Sequence, residues 1–187
     1  MAAISAGLLL YRRVSAPDAG EPRIEVLLVH PGGPYWARKD AGAWSIPKGE
    51  AEPDELGPEP VTATAAKARN RAAGVDLLAV AEREFREETG FEPGDVAAPG
   101  AAPVSLGGVK QRAHKLVYAW ALEGDCDAGA IVSNTFAMEW PPRSGKQAEF
   151  TEVDRAAWFD LPAAREAIVP AQRRFLDDLE VAAGLSG

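Results

Sequence analysis

The sequence predicts an α+β fold in which helices clasp a mixed sheet. Three observations carry this. Two short aliphatic runs, residues 3–11 and 23–30 (RIEVLLVH), are bounded by Pro/Gly/Asp segments and read as strands. A helical period runs through LLAVAEREFREET, residues 77–89. Strands and helices then follow one another without regular βαβ alternation.

In chain order, AWSIP at 43–47 reads as a third short strand, ending at Pro47, and residues 51–60 are turn-rich. Residues 61–73 are Ala-rich and predict a helical piece that Gly74 ends. Asp76 is placed to cap the next helix, with Leu77, Leu78, Ala81 and Phe85 on one side and Gly90 as its C′ residue. A Pro/Gly/Ala loop follows, then strand candidates at 113–122 and 131–139. A loop containing PPRSGKQAEFTE leads to a last strand, AAWFDL, and Leu161 to about Leu185 reads as one or two helices broken at Pro170. No internal repeat is visible, and 187 residues suit a single domain, 1–187.

The formal net charge is −8 and no long basic run occurs, which argues against duplex nucleic acid or an anionic membrane as partner. An acidic chain binds phosphates where a divalent cation bridges the two. One cysteine, Cys126, allows no intramolecular disulfide and reads as an exposed loop thiol. The apolar run in MAAISAGLLLYRR has its arginines behind it, the reverse of a signal peptide, and is far short of the roughly 20 residues a membrane span needs. Cytoplasmic residence is the expectation.

On a helix, Glu84, Glu87 and Glu88 fall within an arc of roughly 100° beside the apolar stripe. Like charges at this spacing repel, and they sit at the helix C-terminus, where the macrodipole disfavours them. A solvated surface is one reading. The other is a hard divalent cation, since Mg²⁺ is commonly held by one or two carboxylates plus substrate phosphate oxygens. Arg83 is placed to pair with Glu87 or an upstream acid.

Upstream lies IPKGEAEPDE, residues 46–55. Together with REFREETGF, 83–91, it resembles the Nudix box. Gly49 and Glu55 match the first half. Arg83, Glu84, Phe85, Glu87, Glu88, Gly90 and Phe91 match the second. The departure is the spacer, where 27 residues stand for the usual seven; the extra piece is 56–75, in a loop that tolerates insertion. The ends and the order of elements resemble the diadenosine-tetraphosphate-hydrolase branch.

The resemblance implies an α/β/α sandwich and hydrolysis of a nucleoside diphosphate linked to another moiety, with Mg²⁺ or Mn²⁺ as cofactor and a small-molecule nucleotide as partner. It implies that Glu87 and Glu88 are metal ligands and that Glu84 is a ligand or the base. The Lys48 backbone carbonyl would complete the metal site, Arg83 would orient a glutamate, and Gly49 would supply a tight turn. Glu152 has the offset of the loop carboxylate the family often adds, with Glu149 as the other candidate. Glu55 and Gly90 support the box. The alternative is a non-catalytic nucleotide-sensing or protein-binding module. Such a module would be expected to lose a metal glutamate, and all three are present.

Lys48, Gly49, Arg38, Arg143, Lys146 and Trp140 are candidates to bind substrate, with Lys39 beside Arg38; solvated surface is the competing reading for each cation. Trp36, Trp44 and Tyr118 are further candidates to stack on a base, against core packing. His30 and His114 lack metal-ligand spacing. Two marks of substrate are unmet: Pro103 lies too early for the ADP-ribose pattern, and Gly108 or Val109 stands where a dinucleoside-polyphosphate tyrosine would be. Residues 56–75, with Lys67, Arg69 and Arg71, read as a basic lid or a surface ornament.

Overall fold

Strand β1 (Ala3–Val14) has neighbours on both edges in this computed structural model, which describes residues 3–15, 23–55, 71–72, 75–112 and 115–184. One edge is shared. β2 (Arg23–Pro31) pairs antiparallel with residues 11–14, and β3 (Lys48–Glu50) pairs antiparallel with residues 5–7. The other edge takes β7 (Lys115–Glu123) in parallel, from Ala3 opposite Lys115 to Tyr11 opposite Glu123. β10 (Val153–Asp160) lies outside β2 and β6 (Val104–Arg112) outside β7, giving the order β10-β2-β1-β7-β6.

The period of two along β1 sorts its side chains into two cores. Ile4, Ala6, Leu8 and Leu10 face helix α1 (Leu77–Thr89) and pack with Val80, Ala81 and Phe85. Leu9 lies on the opposite face, with Val117, Ala119 and Ala121 of β7. That face is covered by α2 (Leu161–Ala167), through Leu161, Ala164 and Ala167, and by α3 (Arg173–Ala182), through Phe175, Leu176 and Leu179. The mixed sheet between helices is the expected α/β/α sandwich. Full burial of one side chain such as Phe85 contributes about 1.5–3 kcal/mol. No described helix is long and apolar enough to cross a membrane.

The α1 boundaries follow from its caps. The Asp76 carboxylate accepts from the Ala79 N–H, and Gly90 adopts φ 78° with its N–H donating to Arg86 O. Its buried face differs from the expected stripe. Val80, Glu84 and Thr89 are buried, and Leu78 is only partly so.

Other expectations need correction. Residues 43–47 are not a strand. Trp44 and Ser45 form only isolated bridges, to Ile168 and Val29, and the ladder with β1 runs over 48–50. The Pro/Gly/Ala loop contains β6, a strand with a register shift at Ser105/Gly107, and Gly108 has Tyr118 packed where a side chain would be. The loop after residue 139 contains β9 (Gln147–Thr151), which forms a hairpin with β8 (Thr135–Glu139). β8 begins at 135 because the amides of Val132 and Asn134 are bonded to α1 carbonyls.

The helix expected over 61–73 falls mostly outside the described residues. At its end, β4 (Arg71–Ala72) and β5 (Val75–Asp76) form a two-stranded ladder instead. Lys67, Arg69 and His114 also lie outside the described residues. The C-terminal helices break at Pro170, in a 3-10 turn over Pro170–Gln172. Cys126 is half-buried, and burial pushes its thiol up to about 11.

Candidate active site

The acidic helix lies against β3, and the two halves of the interrupted motif meet there. Gly49 is not a turn residue. It sits within β3, and a methyl group on it would fall inside the Glu84 carboxyl group. Only glycine allows the helix acid to lie flat on the strand. The Lys48 backbone is in contact too, since its N–H donates to Glu88 Oε2 at 2.8 Å.

Arg83 joins the acids. Its Nε and Nη2 donate to the two Glu55 oxygens at 3.0 and 2.9 Å, a bidentate pair that bridges the ends of the inserted segment. Nη1 lies 2.7 Å from Glu84 Oε1 and 3.0 Å from Glu87 Oε2, and Nη2 also donates to the Glu50 carbonyl. Glu55 in turn accepts from the Glu52 N–H. The Arg83 bonds hold the Glu55 carboxyl below its ordinary range.

Glu84, Glu88 and Glu152 go the other way. Desolvation raises Glu84, and Glu87 and Glu152 add to this while Arg83 opposes it. Glu152 is raised by burial and by Glu87. Glu88 is pushed up to about 8, chiefly by burial, against the pull of the Lys48 charge and amide. Glu152 thus belongs to the cluster by its coupling to Glu84, Glu87 and Glu88. Glu149 instead accepts from Thr135 Oγ1 on the hairpin.

The donor set is all oxygen, which suits a hard divalent cation. Five carboxyls face one guanidinium and the Lys48 ammonium, so negative charge is under-compensated. Among the described residues, however, no three such side chains already stand together in coordination positions. Arg83 draws Glu84 and Glu87 toward itself, and the Lys48 amide holds Glu88. By donor chemistry the set suits Mg²⁺ or Mn²⁺, and holding either would require these carboxyls to leave their present partners.

Lys48, Gly49, Glu55, Arg83, Glu84, Glu87, Glu88 and Glu152 are therefore brought together, while Gly90 caps the helix away from them, against Val132. Arg38 is exposed in the turn before Lys39, and Arg143 and Lys146 are exposed at the hairpin tip; none contacts the acids among the described interactions. Trp140 packs edge-on against Tyr35 and Phe150, ring centroids 5.5 and 6.5 Å apart. Trp36 carries the Lys39 ammonium over its ring. Trp44 and Tyr118 are buried, which removes both as exposed stacking platforms. His30 is buried between the Lys39 carbonyl and Asp154, a structural position. A cavity of about 600 Å³ opens at the far ends of β1 and β7. Its arginines are already paired, Arg12 with Glu25 and Asp125 and Arg13 with Glu123, so the acidic shelf is the stronger candidate.

No family model matches the sequence, and no curated protein matches it. Solved structures do. A Caenorhabditis elegans Ap4A hydrolase binary complex superposes with a TM-score of 0.56 at 17% identity, covering 97% of this chain and 98% of that one. A mutT/nudix family protein from Listeria innocua gives 0.54 at 14%, covering 98% and 94%. The chain has the Nudix fold. The NUDIX domain of Shewanella oneidensis NrtR, complexed with ADP ribose, gives 0.53 at 12% over 98% and 89%. In this Nudix fold the acidic helix is α1, and the motif is interrupted without separating its two halves.

Proposed function

We propose that this chain is a divalent-metal-dependent hydrolase of a pyrophosphate linkage in a nucleoside diphosphate derivative, an NTP, a dinucleoside polyphosphate or a similar compound. The observation that carries the reading is the convergence of Glu84, Glu87, Glu88 and Glu152 on one under-compensated shelf, where burial raises Glu84, Glu88 and Glu152. Surface acids placed only for solubility would not be buried against a glycine.

Mg²⁺ or Mn²⁺, when bound, would neutralise diphosphate oxygens and lower the pKa of a water. The protein supplies position. Glu87, Glu88 and Glu152 would hold the ion, and the Lys48 backbone carbonyl is the candidate to complete the site. Glu84, buried and raised, is a ligand or the base that takes the proton of the attacking water. Arg83 keeps Glu84 and Glu87 in register and is itself held by Glu55. The Ap4A hydrolase and the ADP-ribose-bound NUDIX domain among the structural neighbours direct attention to dinucleoside polyphosphates and ADP-ribose as first substrates to try. Arg38, Arg143, Lys146 and Trp140 are the groups that would meet the rest of such a substrate.

The test is a nucleotide panel with Mg²⁺ and with Mn²⁺, products identified by mass. It contains dinucleoside polyphosphates, ADP-ribose, nucleotide sugars and oxidised triphosphates. Cleavage between phosphorus atoms that stops with EDTA is expected. No cleavage across the panel, together with no divalent-ion binding, would overturn the reading.

A further inference from the structure

We propose that Ser133 is a positioning residue for Glu152, acting through a backbone strap over Val132–Asn134 that ties the loop acid to the acidic helix. The inference rests on the hydrolase reading above.

The last carbonyls of a helix have no intrahelical donors. In α1 two of them are met from outside: Val132 N–H donates to Thr89 O and Asn134 N–H donates to Glu87 O, both at 2.9 Å. Asn134 then turns its own carbonyl to the Glu152 N–H, at 2.8 Å. One residue therefore spans from the backbone of one acid, Glu87, to the backbone of another, Glu152. The Glu152 carbonyl is held on its far side by the Gly32 N–H, at 2.8 Å. A Cβ on Gly32 would run into the Thr151 carbonyl, so the approach is close. Gly90 permits the same closeness at the other end, with Val132 O 3.0 Å from where its Cβ would be.

One side chain among the described residues ties this strap to Val153. The Ser133 hydroxyl accepts from the Val153 N–H at 3.0 Å and donates to the Asn134 carbonyl at 3.1 Å. It thus grips the chain on both sides of the Asn134–Glu152 bond. Val153 is buried, so its amide has little access to water as a substitute. Without the hydroxyl, Glu152 keeps its Asn134 and Gly32 bonds and the flanking β9 and β10 ladders, but the Val153 N–H loses its side-chain acceptor and the turn between the two strands loosens.

The experiment measures Mn²⁺ affinity by electron paramagnetic resonance in the wild type, S133A, E152Q and the double variant. Hydrogen exchange of the Val153 amide is followed in the same proteins. S133A is expected to weaken Mn²⁺ binding about tenfold, the scale seen when a group supporting a ligand is removed. It should also speed exchange at Val153 and add nothing further in the E152Q background. S133T should restore binding and S133V should not, a pair that differs in the hydroxyl while keeping the branched shape. This comparison holds even if the alanine variant folds poorly. Equal affinity in S133T and S133V, or an S133A effect that persists undiminished with E152Q, overturns the role of Ser133 and leaves the hydrolase reading standing. A folded wild type that binds no Mn²⁺ overturns both.

Discussion

Glu84 and Gly49 share one space, and that sharing makes a prediction about each. Gly49→Ala puts a methyl group into the carboxyl of a buried acid, so Glu84 must leave the strand or the strand must shift. Turnover is expected to fall by about two to three orders of magnitude, the scale of losing one preorganised polar group. The far-UV spectrum should stay native-like, and steady-state kinetics beside circular dichroism check both. Glu88 makes a prediction about pH. Its folded carboxyl titrates at about 8, against an ordinary value of 4.5, so the folded state holds a proton that the unfolded state has lost. Metal-free stability should therefore decline as pH rises from about 4.5 to about 8, and level off above. Metal binding needs the deprotonated acid, so Mn²⁺ affinity should rise over the same interval with proton release. Glu88→Gln should flatten both slopes, leaving the contributions of Glu84 and Glu152, and should abolish turnover. Urea melts and calorimetric titrations in buffers of different ionisation enthalpy measure them. Much of this site was legible in the sequence. Acids three and four apart on a helix share a face wherever that helix lies, and Arg83 was expected to pair with Glu87 or an upstream acid, though which upstream acid was not legible. What could not be read was the crowding at Gly49, which depends on two elements meeting, or Ser133, whose partners Asn134 and Val153 gain meaning only from where Glu87 and Glu152 lie.

At the scale of the element, α1 is held at both ends, by unequal means. The Asp76 cap bond is long, 3.4 Å to Ala79 N, so its loss should cost no more than about 0.5 kcal/mol, the low end for a cap. The C-terminal end carries more. Gly90 has a left-handed φ of 78° and also lies against the Val132 carbonyl. Gly90→Ala is expected to destabilise by about 1–2 kcal/mol from the backbone conformation alone, with crowding in addition. Chemical denaturation with an unchanged m-value checks it. Helix α1 was legible to the residue because its caps and period are local. The strands β6 and β9 were not. Gly107 and Gly108 in one, and Pro141, Pro142 and Gly145 before the other, are turn signals by composition. They are overruled by partners elsewhere: β7 fixes β6, and β8 fixes β9 through Phe136 opposite Phe150. The same holds for residues 43–50, where the aliphatic character of Ile46 misplaced the strand by a few residues. Pairing with β1 decided its location.

Across the whole molecule, the motif survives interruption because its halves are held by independent contacts. β3 is paired to β1, α1 is packed on β1, and the Arg83–Glu55 bridge crosses the gap between them. Removal of residues 56–75, joining Glu55 to Asp76, is expected to give a folded protein that still binds Mn²⁺. Closing a shorter loop also loses slightly less chain entropy. Circular dichroism and metal titration check it, and an unfolded product would show that the segment is structural. The central strand carries a different consequence. β1 precedes its parallel partner β7 by more than a hundred residues, so one of its edges waits for a distant part of the chain. During synthesis that aliphatic edge is a free template for other chains, and closure of so distant a pair is slow. A chain truncated before Lys115–Glu123 keeps that edge open and is expected to be insoluble, which a solubility assay of the truncated protein checks.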